Sequence, residues 1–181
     1  FFLEIITTDQ NRADLVDAFH ATARSDWQKD PYVMRNGGGI RTRMLCAMIR
    51  EAFYLVENEY VSVESIDRGC RNDAGYYMPF AGNFRYMDLM GTYIYGLVMQ
   101  DLNPELSKNQ HVPSFFQEII RQGGSGMASG KGFYAYRDGE AEDWEAVFER
   151  FSYQISQLIS KYPFNYTETP ELTSDQFRGH E

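Results

Sequence analysis

From Ile40 to Tyr162 apolar side chains recur every three or four residues, the period of an amphipathic helix, with only brief polar or glycine-bearing interruptions. "IRTRMLCAMIREAFYLVENEY" places Met44, Ala47, Met48, Leu55 and Val56 along one stripe, and "EDWEAVFERFSYQISQLISKY" repeats Trp144, Val147, Phe148, Phe151, Ile155, Leu158 and Ile159. Between them Ser62 is a good N-cap for "VESIDRGCRN", and Pro113 opens "PSFFQEIIRQGG", whose end is marked by Gly123 and Gly124. "FRYMDLMGTYIYGLVMQDL" reads as one long apolar helix, and "DAGYYMPFAGN", with its Gly and Pro, as the connection before it. A chain patterned this way is expected to be mainly α. The polar, Pro-interrupted "PFNYTETPELTSDQFRGHE" reads as a tail.

The first 36 residues have a different character. "FFLEIITT" is β-branched and aromatic and predicts a short strand. Thr8 is placed to cap a helix from about Asp9 to Trp27, with Leu15, Val16, Phe19, Ala23 and Trp27 on one face. Pro31 to Met34 predicts a second extended piece, so the order is strand, helix, strand, the tail of an open α/β sheet.

"GGGIRTRM" at Gly37 to Met44 separates the two regions and invites comparison with a phosphate-binding loop. Gly37, Gly39 and Thr42 fall on the dinucleotide spacing, but the third glycine is absent, "DPYVMRN" before the loop reads as a poor buried strand, and no Gly-Lys-Ser/Thr follows. Nucleotide binding at this loop is therefore not expected.

The formal net charge of -9 sets the surface against nucleic acid and anionic membranes, and no run approaches the roughly 20 apolar residues of a membrane span. A soluble, cytoplasmic protein is expected. Cys46 and Cys70 form no CxxC pair, and His20, His111 and His180 lie far from both, so neither a metal site nor a disulfide is expected, and both thiols read as buried and reduced.

Four stretches, in this order, resemble the 3-hydroxyacyl-CoA dehydrogenase family. "FLEII" resembles its Leu-Val-Glu-Val-Ile strand, and "GGGIRTRML…EAFYLVEN" its Pro-Gly-Phe-Ile-x-Asn-Arg-Leu motif leading into a helix. "GYYMPFAGNFRYMDLMG" resembles its Gly-Tyr/Phe-Pro-x-Gly-Pro-Phe…Asp-x-x-Gly segment, and "GKGFYAY" its Gly-x-Gly-Phe-Tyr-x-Tyr signature. The resemblance covers about residues 1 to 137. It implies a multi-helical C-terminal dehydrogenase domain preceded by a strand-helix-strand remnant of a Rossmann-type NAD-binding domain. The implied division is 1–36 for the remnant, 37–162 for a helical substrate-binding and dimerisation domain, and 163–181 for the tail. It also implies that the dinucleotide glycines and the catalytic histidine lie upstream of Phe1, so that this chain begins mid-domain and, by itself, binds no NAD and is catalytically silent.

By the same resemblance Glu4 matches the glutamate that orients the catalytic histidine and stabilises its imidazolium while the histidine takes the proton of the 3-hydroxyl. Thr42 falls where the family has a substrate-binding asparagine, a departure that puts polarisation of the substrate in question. Arg41 is a candidate for a CoA phosphate. Asn83 and Arg85 replace a proline and a glutamate, while Gly82, Phe84, Asp88 and Gly91 persist; Phe84 and Met87 read as core. Gly130, Gly132, Phe133 and Tyr134 read as a structural turn, and the glycine loop as either a hinge between domains or a plain linker. The implied partners are a second copy of the chain and an acyl-CoA or small 3-hydroxy acid substrate. A non-catalytic helical dimerisation module remains the alternative from another class.

Overall fold

The computed structural model describes residues 2–162, so the tail expected at 163–181 lies outside the described residues. The chain divides between Phe53 and Tyr54 into two compact units.

The first unit opens with strand β1 (Phe2–Thr7), helix α1 (Ala13–Ser25) and strand β2 (Asp30–Arg35). β1 and β2 pair in parallel, from Phe2 opposite Asp30 to Thr7 opposite Arg35, with Glu4 opposite Tyr32. A parallel pair needs a crossover, and α1 supplies it. The strand-helix-strand order is the one expected, but the helix starts later. Thr8 does not cap it: the Asn11 side chain accepts from the Thr8 amide at 2.7 Å, and the Asn11 amide donates to the Thr8 carbonyl at 3.1 Å. That turn occupies residues 8–11, and α1 begins only after Arg12, which makes no side-chain cap. Of the predicted apolar face Ala23 is fully buried, whereas Leu15 and Phe19 stay exposed and Trp27 lies past the helix end, edge-on to Phe19. His20 Nε2 lies 3.1 Å from the Pro31 carbonyl, which ties α1 to β2.

Helix α2 (Ile40–Glu57) starts directly after the three glycines and buries none of its side chains. Cys46 is therefore exposed, as is Cys70, contrary to the burial expected of both.

In the second unit α3 (Val63–Gly69) is capped as expected, the Ser62 hydroxyl accepting from the Ser65 amide at 3.1 Å. The stretch expected to be a connection is instead helical: a π-helical segment, Cys70–Ala74, runs into α4 (Gly75–Met90). The glycine and proline signals there mark one break inside the helix, at Gly82 (φ 65°, ψ −169°), and Tyr77 and Tyr86 stack at 3.9 Å from its two sides. The long helix expected next is two, because Gly91 (φ 105°, ψ 109°) ends α4 and α5 (Thr92–Leu102) begins at the following residue. Only glycine enters that region without strain. Phe84, expected in a core, is 83% exposed, since it follows the Gly82 break, and Met87 is half-buried.

Helix α6 (Ser114–Arg121) follows Pro113, and α7 (Glu140–Lys161) matches the expected final helix. Between them the glycine-rich signature does form a turn. A 3-10 turn, Met127–Ser129, precedes Gly130 in the left-handed region, and the Tyr136 amide closes on the Gly130 carbonyl at 2.8 Å. Phe133 stacks on Phe116 of α6 with ring centres 5.0 Å apart. Among the described residues no helix is long and apolar enough to cross a membrane.

Candidate functional site

Side chains alternate along a strand, so Leu3 and Ile5 leave one face of β1 and Glu4 the other. Glu4 is half-buried, and its register partner Tyr32 stands beside it on β2. The Tyr32 hydroxyl donates to Glu4 Oε1, and the backbone amide of Arg41 donates to the same oxygen at 2.9 Å. Arg41 lies in the first turn of α2, where amides have no partner within the helix and the helix dipole favours an anion. A carboxylate from the first strand thus caps a helix that begins 36 residues later in the sequence.

These contacts set the protonation of both side chains. The Tyr32 hydrogen bond first, then the Arg41 amide, hold Glu4 below the ordinary 4.5; the Ile40 amide and the Arg41 charge add to them, and together they outweigh the partial loss of water. Burial first, then the hydrogen bond to the Glu4 carboxylate, push the Tyr32 phenol up to about 12. Glu4 is an anion, and Tyr32 a neutral donor, across the neutral pH range.

The glycine loop takes part in the same arrangement. None of its three glycines has a positive φ; the left-handed residue here is Asn36 (φ 48°). Gly39 is buried against Glu4, and a Cβ there would lie 2.7 Å from Cδ of Glu4.

The loop does have the strand-before, helix-after setting of a dinucleotide site. Even so, the α2 amide that a pyrophosphate would use is taken by Glu4, and a second anion on the same spot would be repelled. The residues at this loop therefore do not fit NAD.

Of the candidates read from the sequence, the structure brings Glu4 and the backbone of Arg41 together. Thr42 follows in the same turn, and both Arg41 and Thr42 are exposed. A cleft of about 560 Å³ lies at the carboxyl ends of β1 and β2, lined by Thr7, Thr8, Asp9, Asn11 and Arg35 among others, and includes none of the three. Tyr32 and Gly39 are the participants that the sequence reading missed. The available signal was the pairing of the two extended runs, which sets a tyrosine opposite the glutamate. Among the described residues no group of His, Cys, Asp or Glu could hold a metal ion.

Residues 38–136 match the family described as 3-hydroxyacyl-CoA dehydrogenase, C-terminal domain. The chain is 29% identical over 122 residues to 5-formyl-3-hydroxy-2-methylpyridine 4-carboxylate 5-dehydrogenase of Mesorhizobium japonicum, a match covering 67% of this chain and 40% of that protein. It is 27% identical over 149 residues to the fatty acid oxidation complex subunit alpha of Vibrio campbellii, covering 81% of this chain and 20% of that one. A crystal structure of a 5-formyl-3-hydroxy-2-methylpyridine 4-carboxylic acid 5-dehydrogenase, described as an NAD+-dependent dismutase, superposes with a TM-score of 0.82 at 25% identity, over 90% of this chain and 53% of that chain. The chain thus spans less than half the length of the curated relatives it matches.

Proposed function

The chain belongs to the 3-hydroxyacyl-CoA dehydrogenase family, and from that premise we propose that it forms the substrate-binding and dimerisation portion of an NAD-dependent oxidoreductase that interconverts a 3-hydroxyacyl and a 3-oxoacyl group. In this reading residues 1–36 complete an NAD-binding domain supplied outside the chain, and residues 37–162 form the helical domain. Glu4 acts on a histidine from the same outside source. While that histidine takes the proton of the substrate hydroxyl, the carboxylate orients the ring and stabilises its positive form. The observation that carries the reading is the ionised, half-buried Glu4 carboxylate held at the first turn of α2.

Two substrate classes fit. The family match and the fatty acid oxidation relative support an acyl-CoA, with Arg41 free to meet a phosphate at the surface. The fold likeness to the pyridine carboxylate dehydrogenase supports a small non-CoA acid, with Arg41 meeting its carboxylate. We place the protein in the cytoplasm, a compartment that keeps two free cysteines reduced.

The test is turnover of the full-length protein on a 3-hydroxyacyl-CoA and on a small hydroxy acid. Glu4→Gln lowers turnover by roughly 10²-fold or more at unchanged NAD affinity, since it removes the charge that favours imidazolium. Thr42→Asn raises kcat/KM on the acyl-CoA and Thr42→Val lowers it. Full turnover in Glu4→Gln would overturn the role given to Glu4, and absence of turnover on both substrates would leave the non-catalytic dimerisation module as the better account.

A further inference from the structure

Three observations at the corner between β2 and α2 remain unexplained by the proposed reaction alone. Tyr32 carries a hydroxyl that its packing does not need: its ring lies 4.8 Å from that of Phe2, a contact a phenylalanine would keep. That hydroxyl and the Arg41 amide converge on one oxygen of Glu4, so the carboxylate is held from two directions and its plane cannot rotate freely. Finally, the three glycines are not equivalent. Added Cβ atoms at Gly37 and Gly38 would have neighbours no nearer than 3.5 Å and 3.9 Å, ordinary contact distances, while one at Gly39 would fall 2.7 Å from Cδ of Glu4 and 3.0 Å from Oε1.

Glycine at position 39 is therefore not required by backbone conformation, because its φ is not positive. It leaves room for the carboxylate. Any side chain at 39 would push the end of the flexible Glu4 side chain away from the place where it meets the Arg41 amide and the Tyr32 hydroxyl.

We propose that Tyr32 and Gly39 are positioning residues for Glu4, Tyr32 by donating to Oε1 and Gly39 by leaving room for the carboxylate against the first turn of α2. A group that must hold a histidine in one tautomer and orientation gains from being fixed before the reaction starts. The catalytic consequence rests on the role given to Glu4 above; the positioning itself does not.

Two measurements separate these levels. In the 181-residue chain, the Glu4 side-chain carboxyl is followed by carbon-13 NMR as pH is lowered. Tyr32→Phe and Gly39→Ala each raise its titration midpoint towards that of an ordinary carboxylate, and an unmoved midpoint in both overturns the positioning. In the full-length protein, Tyr32→Phe lowers kcat about tenfold with KM unchanged, the scale of one hydrogen bond to a charged group. Adding Tyr32→Phe to Glu4→Gln then costs nothing more, because both changes act through one carboxylate. Additive losses overturn the catalytic link while the NMR result still supports the positioning. Wild-type turnover in Glu4→Gln overturns the role given to Glu4 in the proposed reaction and leaves the positioning to be judged by the NMR midpoint alone.

Discussion

The hydroxyl of Tyr134 donates to the Asp67 carboxylate at 2.7 Å, tying the glycine-rich turn to α3 across 67 residues of sequence. The hydrogen bond to Asp67, followed by burial and the nearby negative charge, pushes the Tyr134 phenol up to about 12. Because the folded value lies above the ordinary 10.0, the stability this pair contributes is complete below about pH 10 and is lost as pH rises through about 12. In a spectrophotometric titration Asp67→Asn moves this ionisation back towards 10.0. Tyr134→Phe removes it altogether and costs no more than about 1 kcal/mol, since the pair is exposed to solvent.

Glu4 acts in the opposite direction. Its folded pKa is depressed below the ordinary 4.5, so its contribution is complete above that value and is lost as pH falls through the lower one. Acid unfolding of the first unit, followed by Trp27 fluorescence in a Trp144→Phe background, shows this acid dependence. Glu4→Gln flattens it.

Gly91 and Gly96 provide a paired test of backbone conformation. A Cβ meets nothing within 4 Å at either site, but Gly91 has φ 105° whereas Gly96 lies inside α5 with no positive φ. Gly91→Ala destabilises by about 1–3 kcal/mol through strain alone. Gly96→Ala stabilises by about 0.5–1 kcal/mol. Urea denaturation of the two variants distinguishes them by sign.

Helix α5 buries none of its side chains, and Tyr93, Ile94, Leu97 and Val98 stand exposed on it; Phe148 and Phe151 do so on α7. Monomeric proteins rarely leave apolar patches of this kind in water, and a self-complementary pairing of two copies would cover them. Light scattering across a dilution series is expected to give twice the chain mass, and Leu97→Lys to lower it. A single chain mass at high micromolar concentration would refute the pairing.

The helical character, the Ser62 cap, the Pro113 start of α6 and the extent of α7 were legible from the sequence. Each depends on interactions within about one turn of the chain: a hydroxyl reaching an amide three residues on, or a proline free of a donor the helix does not use. The strand-helix-strand order was legible for the same reason, as were the motifs that carry the family resemblance.

What the sequence could not decide lies where local signals compete or where the partner is distant. Thr8 is a good cap by residue type, yet its hydroxyl donates to the Asn11 side chain at 3.1 Å within the turn that precedes the helix. Gly82 and Gly91 look alike in sequence as breakers; one interrupts a helix and the other separates two, and only the backbone path distinguishes them. The site shows this most clearly. Glu4 could be singled out by its motif, but its oxygen is fixed by an amide 37 positions away and by a tyrosine 28 positions away. The role of Gly39 is defined by space that only Glu4 fills. Local pattern determined which segments become helix or strand, because those energies act between near neighbours along the chain. Tertiary structure alone decided which helix end receives the carboxylate, because that choice depends on strands and loops converging in space.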